Sequence, residues 1–358
     1  MPVIDADTHV IETEATWEFM RGADAAYRPS LHVPPNPDPT RPTQYWVIGG
    51  MRFPRFIGDD ETTSSTVATR ELLDVPARLR HMDELGIDVH IVYGTLFLQG
   101  LTDDPRADLA LRRGYNRWLA DRCEQSKGRL RWICVPPMLD IDEAVKELRF
   151  AKDHGACGVQ KIGGLEAGRW PNDPYFFPLY EEAERLDMPL CFHIGTGMVE
   201  RIKREHFLFG RVQRNIMPVL GAMHSVVLFG LSTKFPKLRF GFVEAGAAWV
   251  PYIINNLKRR EEKIAKNNAL SYSDFSVAGN FLKSNRMYVT CQVDEDLPYL
   301  IETLGEDSLI TGSDYSHSDA SREAGFVQRL GERVARGEIS RRAVDRIIYD
   351  NAKAFYGI

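Results

Sequence analysis

The chain has 358 residues, with 45 Lys and Arg against 50 Asp and Glu, a net charge of −5. Its 44 % hydrophobic and 27 % charged content excludes disorder, collagen and coiled coil, and the acidic balance argues against a nucleic-acid or polybasic membrane surface. A chain of this length buries about 75 % of the surface its unfolded form exposes, so it needs no structural metal or staple to fold.

Read in order, short β-rich runs alternate with longer helical patterns. Val3–Ile4 lead into Asp5, Asp7 and His9. A helical stretch over Val75–Leu85 precedes a strand over Ile87–Tyr93, and Asp104–Lys127 precedes Leu130–Val135. Ile141–His154 precedes Cys157–Ile162, Tyr175–Leu186 precedes Met188–His193, and Ala222–Thr233 precedes Leu238–Glu244. Ala248–Asn267 precedes Arg286–Cys291, and Leu297–Leu304 precedes Ser308–Gly312. Eight strands separated by helices predict a parallel sheet closed into a (β/α)8 TIM-type barrel, one domain over residues 1–358. Residues 13–69 do not fit a βα unit: they carry PPNPDP at Pro34–Pro39 and a hairpin, Tyr45–Val47 then Met51–Phe56. They read as an insertion after the first strand, either a flap over the active site or a surface flap with no catalytic part.

The cysteines Cys123, Cys134, Cys157, Cys191 and Cys291 form no CxxC pair and are odd in number, which predicts buried reduced thiols and a cytoplasmic protein. MPVIDADTHVIE has no signal-peptide character, and no run approaches the roughly 20 apolar residues of a membrane helix.

Barrel chemistry sits at the C-terminal ends of the strands. The first strand ends in Asp7-Thr8-His9, whose period of two puts Asp7 and His9 on one face. The fifth ends in His193 and the eighth in Asp314. Two imidazoles and two carboxylates suit one divalent metal, Zn²⁺ first and Mn²⁺ or Fe²⁺ as alternatives. Taken singly, His193 reads equally as a core histidine and Asp314 as a helix cap. Met51, Phe53, Phe56, Tyr93, Phe97, Trp249 and Tyr315 could line a pocket, but such stripes are more often plain core.

These segments carry a resemblance. DADTHV, RLRHMDELGID, FPLYEEAERLDMPLCFHIGTG, FPKLRFGFVEAG, LITGSDYSH and NAKAFYG together resemble the amidohydrolase superfamily, in the branch of aminocarboxymuconate-semialdehyde decarboxylase and the resorcylate and vanillate-type decarboxylases. The resemblance implies a metal-dependent barrel, a homodimer or higher homo-oligomer, and Asp7, His9, His193 and Asp314 as metal ligands. One position departs from it. The branch ends its sixth strand in a catalytic His, and here Glu244 stands there, 51 residues after His193. A carboxylate beside a cation stays ionised and suits activation of a water by proton removal. The expected function is therefore metal-dependent hydrolysis of a small aromatic or acidic substrate, with Glu244 as base. Glu244 as a further metal ligand or salt-bridge partner remains open. Non-oxidative decarboxylation of an aromatic or muconate-like acid is the alternative, with Glu244 protonated or idle. Hydration of an alkene and a catalytically silent binding barrel follow.

Lys161 ends the fourth strand and is expected to contact a substrate anion or serve as a structural cation. A carboxylated, metal-bridging Lys161 is disfavoured, because the sixth-strand His such sites also need is missing. His224, in a helical stretch, and His317, three residues after Asp314, are expected to support the ligands or the loop from behind. Arg259 lies fifteen residues after Glu244. By the resemblance it binds a substrate carboxylate across a dimer interface; by charge pattern it is a solvated helix face.

Overall fold

The computed structural model describes residues 1–35, 44–55, 65–195, 216–266, 275–277, 279–318 and 320–358, with backbone alone at 264–266. Phe56, Asn36–Pro39 and the end of FHIGTG lie outside the described residues.

Eight parallel strands run around the barrel in the order β1 (Ile4–Val10), β5 (Val89–Gly94), β6 (Leu130–Cys134), β7 (Ala156–Ile162), β8 (Leu190–His193), β9 (Phe240–Val243), β10 (Met287–Thr290) and β11 (Leu309–Ile310). Their positions follow the eight apolar runs of the sequence, with helices such as Val75–Leu85, Pro105–Glu124 and Ile141–Asp153 between them. These helices begin where the sequence supplies caps: Asp74 accepts from Ala77 N, Asp104 from Arg106 N and Asp140 from Glu143 N. Each cap satisfies an amide that the first turn leaves without a partner.

The last strand meets the first through three backbone bonds. Ala6 N donates to Thr311 O, Asp314 N to Asp7 O and His9 N to Tyr315 O, at 3.1, 3.0 and 2.8 Å. Gly312 permits this close approach, since a Cβ there would lie 2.5 Å from that of Asp7.

Side chains sort into two layers. Val92, Trp132, Val159, Leu190, Phe192, Phe240 and Phe242 join the outer core under the helices. Ile4, Ala6, Ile91, Ile133, Cys157, Cys191, Val243 and Ile310 fill the barrel, with Ala352, Phe355 and Tyr356 of the helix Asn351–Tyr356 plugging its N-terminal end. Gly241 leaves room for the Phe355 ring, and the Tyr356 hydroxyl donates to Ala6 O at 2.7 Å. All five cysteines are buried and free.

Between β1 and β5 lies an antiparallel three-stranded sheet of β2 (Ser30–His32), β3 (Gln44–Ile48) and β4 (Met51–Arg55). It sends Trp46, Ile48 and Phe53 into the outer core. Arg55 fastens it: Nε donates to Glu12 O at 3.0 Å and Nη2 pairs with Glu71 at 2.6 Å. Among the described residues no helix is long and apolar enough to cross a membrane.

Candidate metal centre

The C-terminal mouth of the barrel gathers three carboxylates and three imidazoles. A register shift in β1 between Asp5 and Thr8 lets Asp7 face inward although Ala6 also does, and His9 follows two residues on. His193 ends β8 on the inward side, two residues after Cys191.

Glu244 reaches the mouth by a different route. Val243 faces the barrel interior, so strict alternation would send the next side chain outward. Glu244 instead has φ 64°, and Asp314 has φ 51°. Both stand in the left-handed region, where a side chain with a Cβ is strained and where functional sites hold such residues by surrounding contacts. For Glu244 one contact is Thr290 Oγ1, which accepts from its backbone N at 2.8 Å.

Distances around the centre are short. His193 Nε2 lies 3.4 Å from Asp7 Oδ1 and 3.2 Å from Glu244 Oε2. His9 Nε2 lies 3.5 Å from Asp7 Oδ1, 3.7 Å from Glu244 Oε2 and 3.6 Å from Asp314 Oδ1. His317 Nδ1 lies 2.7 Å from Asp314 Oδ1, its Nε2 lies 2.9 Å from Thr95 Oγ1, and its ring stacks on His9 at 4.0 Å. Ser321 Oγ lies 2.9 Å from Glu244 Oε1 and 3.1 Å from Asp314 Oδ2, so its one hydroxyl proton is within reach of either carboxylate. Tyr93 floors the centre, its ring 5.0 Å from that of His193.

The residues fit a divalent cation. Among the described residues the buried atoms His9 Nε2 and Glu244 Oε2 have no hydrogen-bond partner, an expensive state unless something positive lies between them. Asp7, His9, His193 and Glu244 bring ligand atoms within 4.8 Å of one another, and so do His9, Glu244, Asp314 and His317. Compared with the ligand set expected from the sequence, Glu244 joins Asp7, His9 and His193, while Asp314 groups with His317.

Electrostatics point the same way. Burial, the largest influence on Asp7, favours its neutral form, yet His193 and His9 hold its carboxyl well below the usual carboxylate range. Burial works to lower both imidazoles, but Asp7 and Glu244 outweigh it, raising His193 and pushing His9 up to about 9. A metal offers the carboxylates the same compensation as those protons.

Several supporting residues had no motif in the sequence to mark them. Arg78 is fully buried with its guanidinium 3.6 Å over the Tyr315 ring. Its Nη1 donates to His9 O at 3.3 Å, and Ser316 Oγ donates to the same carbonyl at 2.8 Å, binding β1 to the loop after β11. Asp5 accepts from Ser313 N at 2.8 Å, and burial pushes its carboxyl up to about 7. Ser321 likewise lies in a loop without a signature.

Three candidates are not brought to the centre. Lys161 faces the helix layer opposite Phe192, paired with Glu166 at 2.7 Å and 4.2 Å from the Phe176 ring centroid. That placement is the structural cation of the two readings, and the contact with a substrate anion is corrected. A register irregularity opposite Trp132 and Ile133 shifts the alternation of β7, turning Gly158 inward and Lys161 outward. His224 lies half-buried on the helix Met217–Leu228 and donates to its own Leu220 carbonyl at 3.1 Å. Arg259 is exposed on the helix Val250–Lys266.

The family model described as Amidohydrolase matches residues 4–358. The chain is 22 % identical over 247 residues to a 2-amino-3-carboxymuconate-6-semialdehyde decarboxylase from Dictyostelium discoideum, covering 68 % of this chain and 66 % of that relative. It is 24 % identical over 288 residues to a gamma-resorcylate decarboxylase from a Rhizobium species, covering 74 % of this chain and 87 % of the relative. Among solved structures, an amidohydrolase from Mycobacterium avium subsp. paratuberculosis superposes with a TM-score of 0.76 at 21 % identity, over 100 % of this chain and 98 % of that one. A 5-carboxyvanillate decarboxylase from Novosphingobium aromaticivorans with bound manganese gives 0.71 at 17 %, over 100 % and 97 %.

Proposed function

The chain belongs to the amidohydrolase family, and from that premise we propose that it is a divalent-metal-dependent decarboxylase of a small aromatic or muconate-like carboxylic acid. The observation that carries this reading is a buried cluster of carboxylates and imidazoles suited to a cation in a barrel whose two curated relatives above are both decarboxylases. Those names weigh against the hydrolysis ranked first from the sequence. Asp7, His9 and His193 would hold the metal, with Glu244 or Asp314 completing its carboxylate set. Mn²⁺ gains support from the manganese-bound neighbour; Zn²⁺ and Fe²⁺ suit the same donors.

When bound, the metal supplies positive charge that anchors and polarises the oxygens of an acid substrate. The chain's own groups then manage one proton. Decarboxylation adds a proton to the carbon bearing the carboxylate, breaks the C–C bond, returns its electron pair to the ring or chain, and releases CO₂. Asp314 is placed to deliver that proton, with the His317 imidazole, partly open to solvent, 2.7 Å away as a route for its replacement. Ser321 Oγ stands between Asp314 and Glu244, within hydrogen-bond distance of both.

Hydrolysis stands as the second reading, favoured by Glu244 where the branch carries His. Incubation of the manganese-loaded protein in D₂O with gamma-resorcylate, 5-carboxyvanillate and related acids, beside their amides, separates the two. Decarboxylation releases CO₂ and leaves deuterium on the vacated carbon. Amide cleavage without CO₂ from any acid would overturn the proposal in favour of the second reading.

A further inference from the structure

The loop that carries Glu244 is held from behind by a carboxylate that the centre does not use. Glu295 lies in the loop after β10, and both its oxygens face backbone amides. Oε1 accepts from Ala247 N at 2.9 Å and Ala248 N at 2.7 Å, and Oε2 accepts from Ala247 N at 3.1 Å and Gln292 N at 2.8 Å. We propose that Glu295 is a positioning residue, which fixes the aim of Glu244 by gripping the backbone just beyond it. This rests on the metal-centre reading, which gives that aim its purpose.

Backbone geometry shows why a grip is needed. Glu244 and Gly246 both stand in the left-handed region, at φ 64° and 68°. Glycine adopts that region freely, but a residue with a Cβ does not. Released, Glu244 returns to negative φ, and alternation after the inward Val243 turns its side chain out of the mouth. Two anchors bracket the strained residue, both supplied by β10 and the loop after it. Thr290 Oγ1 takes the amide of Glu244 itself, and Glu295 takes those of Ala247 and Ala248 beyond the turn. Trp249 Nε1 donates to Gly246 O at 2.7 Å and closes the turn from the other side. Glycine at 246 also admits the clamp, since a Cβ there would lie 2.9 Å from Glu295 Oε1.

Glu295 is itself anchored. Arg333, on the helix Phe326–Ala335, donates through Nη1 to Val293 O and Glu295 O, both at 2.7 Å, and its Nε pairs with Glu338 at 2.8 Å. The loop after β10 is thus tied to the helix layer and passes that fixed position to the loop after β9. Gln292, gripped by the same carboxylate, lines one cavity with Asp7, Glu244 and Asp314, so the clamp also sets part of the wall of the mouth. A plainer role for Glu295 is to cap the helix Val250–Lys266, whose first turn follows Ala247 and Ala248. An anion there favours the helix end whichever way Glu244 points. The two roles differ in whether Glu244 responds to the loss of the clamp.

The test is made on the full chain carrying Glu295→Gln, which keeps the side chain's length but turns an N–H₂ donor toward amide donors. With circular dichroism unchanged, its crystal structure should show Glu244 away from φ 64° and its Oε2 beyond about 4 Å from His193 Nε2, outside ion-pair range. Mn²⁺ affinity by calorimetry should fall about tenfold or more. On any acid the wild type decarboxylates, kcat should fall about 10²-fold with KM little changed. Placed on Glu244→Ala, the same substitution should leave Mn²⁺ affinity within about twofold, because the residue it acts through is gone. Glu295→Asp, which keeps both acceptors but draws them back by one methylene, should show the same changes to a lesser degree. A Glu295→Gln structure with Glu244 unmoved overturns the proposal, and so does an equal loss of Mn²⁺ affinity on the Glu244→Ala background. Glu244 displaced in a protein whose wild type decarboxylates no acid would leave the clamp standing and sink the function. Wild-type decarboxylation by Glu295→Gln with Glu244 in place would do the reverse.

Discussion

The two ends of the barrel are filled by opposite chemistry. At the N-terminal end Ala352, Phe355 and Tyr356 close over Ile4, Ala6, Ile133 and Cys191, an apolar plug whose hydroxyls are paired. At the C-terminal end the same strands turn six ionisable groups toward each other, two from residues with positive φ. The comparison teaches that one end spends its packing on stability, whereas the other carries strain and unsatisfied polar atoms that only a ligand relieves.

The largest effect that would break this division is at the charged end. His193→Ala and Asp7→Asn should remove most bound metal and lower kcat by about 10³-fold or more, the size of several kcal/mol of lost charge stabilisation. Metal content and turnover, measured beside circular dichroism, check it; full metal and rate in both variants would reject the site. Next comes the plug. Phe355→Ala should cost about 3–5 kcal/mol in urea unfolding, yet leave metal stoichiometry and kcat per folded chain unchanged. Loss of metal there would show that the ends are not separable.

A smaller effect sharpens the boundary between them. Glu12 lies just past β1, accepts from Leu96 N through both oxygens at 3.0 and 3.1 Å, and is pushed by burial from 4.5 up to about 7. A raised folded pKa contributes stability that is complete below pH 4.5 and is lost as pH rises through 7. Glu12→Gln should remove that fall, worth roughly 3 kcal/mol at most, in unfolding curves taken from pH 4 to pH 8. An unchanged slope would contradict the assignment. The smallest effect concerns metal affinity. Because His9 is pushed up to about 9 and His193 is also raised, metal must displace their protons, so apparent affinity should rise about tenfold per pH unit or more from 7 and level off above 9. Calorimetry across that range checks it; a flat profile would mean that His9 does not ligate.

How much of this is legible in the sequence depends on the residue. The barrel strands were readable because buried parallel strands are short apolar runs set between long amphipathic ones. Asp7, His9 and His193 followed from alternation at strand ends. Glu244 was placed by the position it shares with a catalytic His, but its aim was not, since alternation points it outward and only its backbone turns it back. Lys161 misled for the converse reason: a one-residue irregularity inverts the face of a strand, and nothing local in GVQKIGG announces it. Ser321 and Arg78 act through contacts far along the chain, Arg78 with Ser316 being one, and long-range pairing leaves no local signature. Arg259 is exposed in the single chain, and a test of its role across an interface is a mixed-variant assembly.

The seam where β11 meets β1 carries a consequence for biosynthesis. Asp7 and Asp314 are 307 residues apart in the chain (314 − 7), yet Asp314 N bonds to Asp7 O and their carboxylates serve the same mouth. At about 5–20 residues per second, tens of seconds separate the emergence of the two. Throughout that interval the first strand has a neighbour on one side only and presents an open edge. A cation gripped across the completed seam would therefore act as a clasp joining the first strand of the barrel to its last. Nascent chains halted before β11 should be distinguishable from finished ones by their inability to hold it.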